Sequence, residues 1–191
     1  MIKMEILDIV DENGLPTGET IDRERAHTLG IRHRTSHVWI ARIKEGRLQV
    51  LLQKRSEEKD SYPGCYDISS AGHIPAGVDF IPSALRELRE ELGVEAKADQ
   101  LHFCGQRRFA FNAVFHDREF RDNQVSNVYL LWLDREEEAF SLQKEEISEV
   151  KWFNFEDCWR GVQQNTLLNC IRMDELEMVR KGAEETRDHI V

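Results

Sequence analysis

The segment Arg86-Glu87-Leu88-Arg89-Glu90-Glu91-Leu92-Gly93 constrains this chain more than any other stretch. Its carboxylates fall at i, i+3 and i+4, within about 100° of arc on a helix. Like charges so placed repel by roughly 0.2–0.5 kcal/mol per pair on an exposed helix. Helix stability gives no reason to gather them, whereas a hard divalent cation that takes several oxygen ligands does. Ala84, Leu85, Leu88 and Leu92 make a separate apolar stripe, so one flank should be buried while the acids face a cleft. The spacing predicts a helix over Ile81–Leu92, with Asp79 or Ser83 as caps at its start and Gly93 as the left-handed residue that ends it. Glu87 and Glu91, one turn apart, are the first candidates for direct metal ligands, and Glu90 completes the shell or acts through water. The plain alternative is a solvated, charge-rich amphipathic helix.

The chain has 191 residues, enough for one well-cored domain, and 40% hydrophobic with 32% charged residues is ordinary globular composition. A formal net charge of −10 disfavours unspecific binding to nucleic acid or an anionic membrane. No run of about 18 apolar residues occurs, and Met1-Ile2-Lys3-Met4-Glu5 lacks a signal-peptide core, so a cytoplasmic protein is expected. Cys65, Cys104, Cys158 and Cys170 form no CxxC pair, which points to reduced thiols and not to structural zinc.

Alternation and turn residues give a coarse element order. Strands are expected at Glu5–Val10 and Thr17–Ile21 about the Asp11–Gly14 turn, then a short helix at Asp22–Leu29. His37–Ile43 and Leu48–Lys54 make a hairpin, and a Tyr62-Pro63-Gly64 turn leads to a strand about Tyr66–Ser70. Leu101–Phe111 and Val125–Leu133 are read as strands joined by a polar loop, and Glu149–Phe153 as a further strand. Phe155–Val162 starts a helix, and the charged tail Leu167–Arg187 is helical in pattern. Strands interleaved with helices imply an α/β fold, a central mixed sheet covered on both faces. Trp39, Trp132, Trp152 and Trp159 are not spaced as a stacking platform and are expected in the core. Arg107 and Arg108 are surface residues or phosphate contacts.

Gly72, thirteen further residues, then Arg86-Glu87-Leu88-Arg89-Glu90-Glu91-Leu92-Gly93-Val94 resembles the Nudix box of Mg²⁺-dependent diphosphate hydrolases. The resemblance implies a Nudix α/β/α sandwich with an N-terminal extension, divided as 1–34, 35–166 and 167–191. It implies Mg²⁺, with Mn²⁺ as a substitute, held by Glu87, Glu90, Glu91 and the carbonyl of Gly72. A small-molecule diphosphate is the implied substrate, and a homodimer is compatible with the family. One position departs: the family carries a Glu six residues after the first Gly, where this chain has Val78 beside Asp79. That Glu pairs with the box Arg, so Asp79 is the available partner for Arg86, itself read as structural support within the catalytic set. The general base varies in the family. A box Glu or Glu146, ahead of the Trp152-Phe153 strand, can fill the role, and a solvated acidic loop is the alternative for Glu146. Arg55, Gly72 and His73 are candidates for substrate contact.

A second resemblance reaches the isopentenyl diphosphate isomerases, a Nudix branch. It rests on Arg32-His33-Arg34-Thr35-Ser36, the Asp60–Gly64 turn and Ser70-Ala71-Gly72-His73. The isomerases have a catalytic Cys where this chain has Ala71, and an acid where it has Gln124, with Asp122 two residues earlier. Alanine supplies no proton and an amide is a poor base, so hydrolysis fits better than isomerisation. His27, His33 and His73 fall close to the isomerase metal ligands and could form a second metal site; scattered cleft histidines are the alternative. Three readings stay open: a hydrolase, an isomerase, and a binding module that kept the fold.

Overall fold

The computed structural model describes residues 5–189, so Met1–Met4 and the last two residues of the 167–191 segment lie outside the described residues. The chain opens with an antiparallel pair, β1 (Ile6–Val10) and β2 (Pro16–Asp22), followed by α1 (Arg23–Leu29). Asp22 caps α1 by accepting from the Arg25 amide, and Gly30 ends it at φ 71°. Leu7, Ile21 and Ala26 form a small core of their own. The extension is tied down by charge as well: Arg34 Nη2 donates to Asp8 Oδ2 at 2.9 Å, and both side chains are buried.

A seven-stranded mixed sheet follows. β3 (His33–Lys44) runs antiparallel to β4 (Arg47–Arg55) along its second half and to β6 (Ser70–His73) along its first. β4 also pairs with β5 (Tyr66–Asp67) and β9 (Ile147–Asn154). On the other side β3 lies parallel to β8 (Arg118–Trp132), which pairs with β7 (Leu101–Phe115). β3 begins at His33, so a 34/35 division falls within that strand.

α2 (Phe80–Leu92) covers one face, packing Ala84, Leu88 and Leu92 on Val38, Ile40 and Leu51. α3 (Phe155–Gln163) and α4 (Met173–Thr186) cover the other, with Leu176 and Val179 against Trp39, Leu52, Val128 and Leu130. The architecture is the expected α/β/α sandwich. No helix among the described residues is long and apolar enough to cross a membrane.

Three expectations are corrected. The region read as a polar loop between β7 and β8 is strand almost throughout, a ribbon whose turn is only His116-Asp117. Phe109, Phe111, Phe115 and Phe120 pack together on one side of it, and that contact extends the hairpin through an otherwise polar sequence. The tail is helical only from Met173, because the Leu168 carbonyl accepts from the Tyr66 amide and the Cys170 amide donates to the Tyr66 carbonyl. Arg107 is neither exposed nor free for phosphate: it is buried, donating to Asp174 and Glu175 of α4.

Candidate active site

The alternation of β6 divides the candidate residues between the two faces of the sheet. Ser70 and Gly72 point to α2, whereas Ala71 and His73 point to the opposite side. On the α2 face Glu87 and Glu91 are drawn in against the strand by the same apolar stripe that seats Leu88. Glu91 is only 6% exposed and accepts from Ser70 Oγ at 2.7 Å. Glu87 lies so close over Gly72 that a methyl group there would overlap its carboxyl, so glycine at 72 is what lets Glu87 take this position.

Arg86 Nη2 donates to Glu87 Oε1 at 2.6 Å and Nη1 to Glu90 Oε2 at 3.3 Å, and it also reaches the His73 carbonyl at 3.4 Å. Asp79 does not serve Arg86. It is 89% exposed in its side chain, heads α2 without a side-chain cap bond, and lies 3.8 Å from Arg34. The one-residue shift turns its carboxyl away from the loop interior, and Arg86 turns to the box acids instead. Ser83 is buried in the first turn of α2 and reaches the His73 carbonyl at 3.4 Å, so it caps nothing.

Burial on this face disfavours the charged form of its carboxyls. Burial pushes Glu91 up to about 8, with the neighbouring Glu87 adding to it. Glu87 rises to about 7, again chiefly through burial, although Arg86 opposes the rise. Two adjacent carboxyls that resist ionisation together are oxygen donors that could hold a divalent cation. Glu146 adds to both shifts, so its charge is felt at the cluster, and its carboxylate forms an ion pair with Lys59. No spacing signal assigns Lys59 or Ser70 to the acid cluster: one sits in a charged loop, the other in a short strand. Arg55 is tied down, donating to the Ser61 carbonyl at 2.8 and 3.0 Å and to Asp67 at 3.1 Å.

On the other face His27, His33 and His73 bring their ring nitrogens within 4.8 Å of one another. His33 Nδ1 donates to the Ile31 carbonyl at 2.9 Å, leaving Nε2 aimed inward without a partner. Asp122 Oδ1, also buried and unpartnered, lies 3.6 Å from His33 Nε2 and 3.8 Å from His27 Nε2. Burial holds His27 down at about 3 and His73 well below its ordinary value, so the imidazoles are in their neutral, ligating form. Asp122 joins this group through the β8 strand, which the sequence reading placed only loosely.

The NUDIX domain family matches residues 32–169. Nudix hydrolase 3 of Arabidopsis thaliana is 43% identical over 157 residues, covering 80% of this chain and 20% of that protein. An uncharacterised Nudix hydrolase of Clostridium acetobutylicum is 34% identical over 143 residues, 75% of this chain and 66% of its own length. The chain thus spans a fifth of one curated relative and about two thirds of the other. Among solved structures, DR0079 from Deinococcus radiodurans superposes with a TM-score of 0.65 at 23% identity, covering 93% of this chain and 98% of that one, a likeness of fold. With the box glycine, arginine and acids in place on β6 and α2 and a family match over most of its length, the chain belongs to the Nudix family.

Proposed function

We propose that this protein is a divalent-cation-dependent hydrolase of a small-molecule diphosphate, with Mg²⁺, or Mn²⁺ in its place, at the α2 face. The observation that carries this is Glu87, held over Gly72, beside buried Glu91, bonded to Ser70: two neighbouring carboxyls held at a cost that a bound cation would offset. Their donor set fits the ion: Glu87, Glu90 and Glu91 supply hard oxygens, and the Gly72 backbone is at hand. When bound, such a cation neutralises diphosphate oxygens and makes a coordinated water more acidic.

The residues of this chain do the rest. Arg86 keeps Glu87 and Glu90 oriented through its two bonds. Glu91, fixed by Ser70, can act as general base in its ionised form, which predominates above about 8. Lys59 is a second cation near the cluster, beside Arg86, for which Glu146 and an anionic substrate compete. The catalytic segment is 35–166, braced by 1–34, whose Arg34 donates to the Val78 carbonyl and whose Asp8 accepts from the Gly77 amide, and by 167–191 through Glu175. Ala71, on the histidine face, carries no ionisable proton, which supports hydrolysis over allylic isomerisation.

A second reading is favoured by the two orphaned atoms on the opposite face. His27, His33, His73 and Asp122 fit a transition-metal ion such as Zn²⁺ or Mn²⁺, because three neutral imidazoles and one carboxylate are a borderline donor set. The test of the main reading is incubation with Mg²⁺ and a panel of diphosphates, followed by mass spectrometry of the products. Phosphate-containing fragments released by the wild type and lost in Glu91→Gln are expected. Isoprenoid isomers formed with no phosphate release would overturn it.

A further inference from the structure

Glu175 on α4 is 3% exposed and carries a formal charge inside the larger core, where an apolar residue would pack at less cost. Its partners are all on the sheet. Oε1 accepts from Trp39 Nε1 and from His37 Nδ1, each at 2.9 Å, and Oε2 accepts from Arg107 at 3.3 Å. From His37 a hydrogen-bonded path continues along the same face of β3 and β8. His37 Nε2 is 3.2 Å from Thr35 Oγ1, which donates to Gln124 Oε1 at 2.7 Å. Gln124 Nε2 then donates to Asp122 Oδ2 at 2.5 Å. Ser126 Oγ sits beside the middle of the path, 2.6 Å from Thr35 Oγ1 and 3.2 Å from Gln124 Oε1.

This path fixes which way each group faces. Gln124 must turn its oxygen to the two hydroxyl donors and its NH₂ to the carboxylate, because a flipped amide would set oxygen against oxygen at Asp122. Asp122 is thereby gripped at Oδ2, and Oδ1 is the atom left over, directed at His33 and His27. The register supports it, since Gln124 lies beside His33 and Ser126 beside Thr35 in the parallel β3–β8 ladder. Among the described residues, neither Glu175 nor His37 makes a hydrogen bond or ion pair with the histidine trio.

We propose that Glu175 and His37, acting through Thr35 and Gln124, are positioning residues that hold the Asp122 carboxylate toward the His27–His33–His73 trio. The metal-binding consequence rests on the second reading above; the positioning itself does not. The full-length, metal-free protein is titrated with Co²⁺ in the presence of excess Mg²⁺, following the visible absorption of imidazole-bound Co²⁺. Thr35→Val keeps the side-chain shape and removes the relay hydroxyl, and Thr35→Ser restores it. Outer-shell partners of a metal site are worth about 10–100-fold in affinity, so Thr35→Val and Glu175→Gln should weaken Co²⁺ binding within that range, with Thr35→Ser near wild type. Wild-type affinity in both weakened variants would overturn the proposal. Should the wild type bind no Co²⁺ at the trio, the metal reading falls, and ¹⁵N spectra of the histidine rings decide the positioning. Glu175→Gln, with four residues of the path between it and His33, is then expected to move the His33 resonances, and unchanged His33 resonances would overturn it.

Discussion

Glu91→Gln is expected to stabilise the metal-free protein at pH 8 while abolishing turnover. Glu91 keeps its proton in the folded chain up to about 8 but releases it near 4.5 once exposed. Between those values the folded state binds more protons than the unfolded state, so the stability of the metal-free protein falls as pH rises across that window. The difference between 4.5 and about 8, at about 1.4 kcal/mol per pH unit, sets a ceiling near 5 kcal/mol. Part of it is shared repulsion with Glu87, and a buried carboxylate relaxes toward a dielectric of about 20, which leaves about 2 kcal/mol. Glutamine retains an oxygen for Ser70 Oγ and carries no charge to bury. For a chain of this size that gain raises the melting temperature by about 4–8 °C. The assay is thermal unfolding followed by circular dichroism in chelator at pH 5 and pH 8, with and without added Mg²⁺. The variant should melt above wild type at pH 8 without metal and level with it at pH 5, and Mg²⁺ should raise the wild type alone. A variant that melts below wild type at pH 8 in chelator would refute the view that this carboxyl is held at an energetic cost for a cation.

Gly72→Ala should push Glu87 from its place and cut kcat/KM at least about tenfold, measurable in the same phosphate-release assay. Glu146→Gln, which breaks the pair with Lys59, should lower kcat by about 10²-fold if Glu146 moves a proton, and by far less if it only balances Lys59; steady-state kinetics across pH separates the two. Arg107→Met leaves Glu175 without its guanidinium and should destabilise by about 3–5 kcal/mol, read from urea unfolding. Chelator should remove activity, and Mg²⁺ should restore it within the mixing time.

The helix that bears the acids was legible because two independent periodicities coincide there: an apolar stripe at 84, 88 and 92 and an acidic one at 87 and 91. It starts at Phe80 where the spacing predicted Ile81, within the usual fraying of an end. What escaped the sequence is pairing across long separations. Nothing near Arg107 announces that its carboxylates lie 67 and 68 residues away on α4. The β7–β8 ribbon was read short because Asn112, Glu119 and Arg121 line its outer side, while the aromatic side that holds it together alternates with them. The division of Gly72 and His73 between opposite faces follows from strand alternation, and it is visible only once β6 is known to be a strand.

The parallel β3–β8 ladder has a consequence for how this protein comes into being. Thr35 meets Gln124 and Ser126 across 89 and 91 residues of chain, and His33 lies beside Gln124 in the same ladder. Parallel contacts of such reach close slowly, since a long loop must be ordered before they reward it. As the chain leaves the ribosome, the acid-bearing helix can dock on the β3–β4 hairpin early. Asp122 can join the histidine trio only once the β8 segment has been synthesised and laid alongside β3.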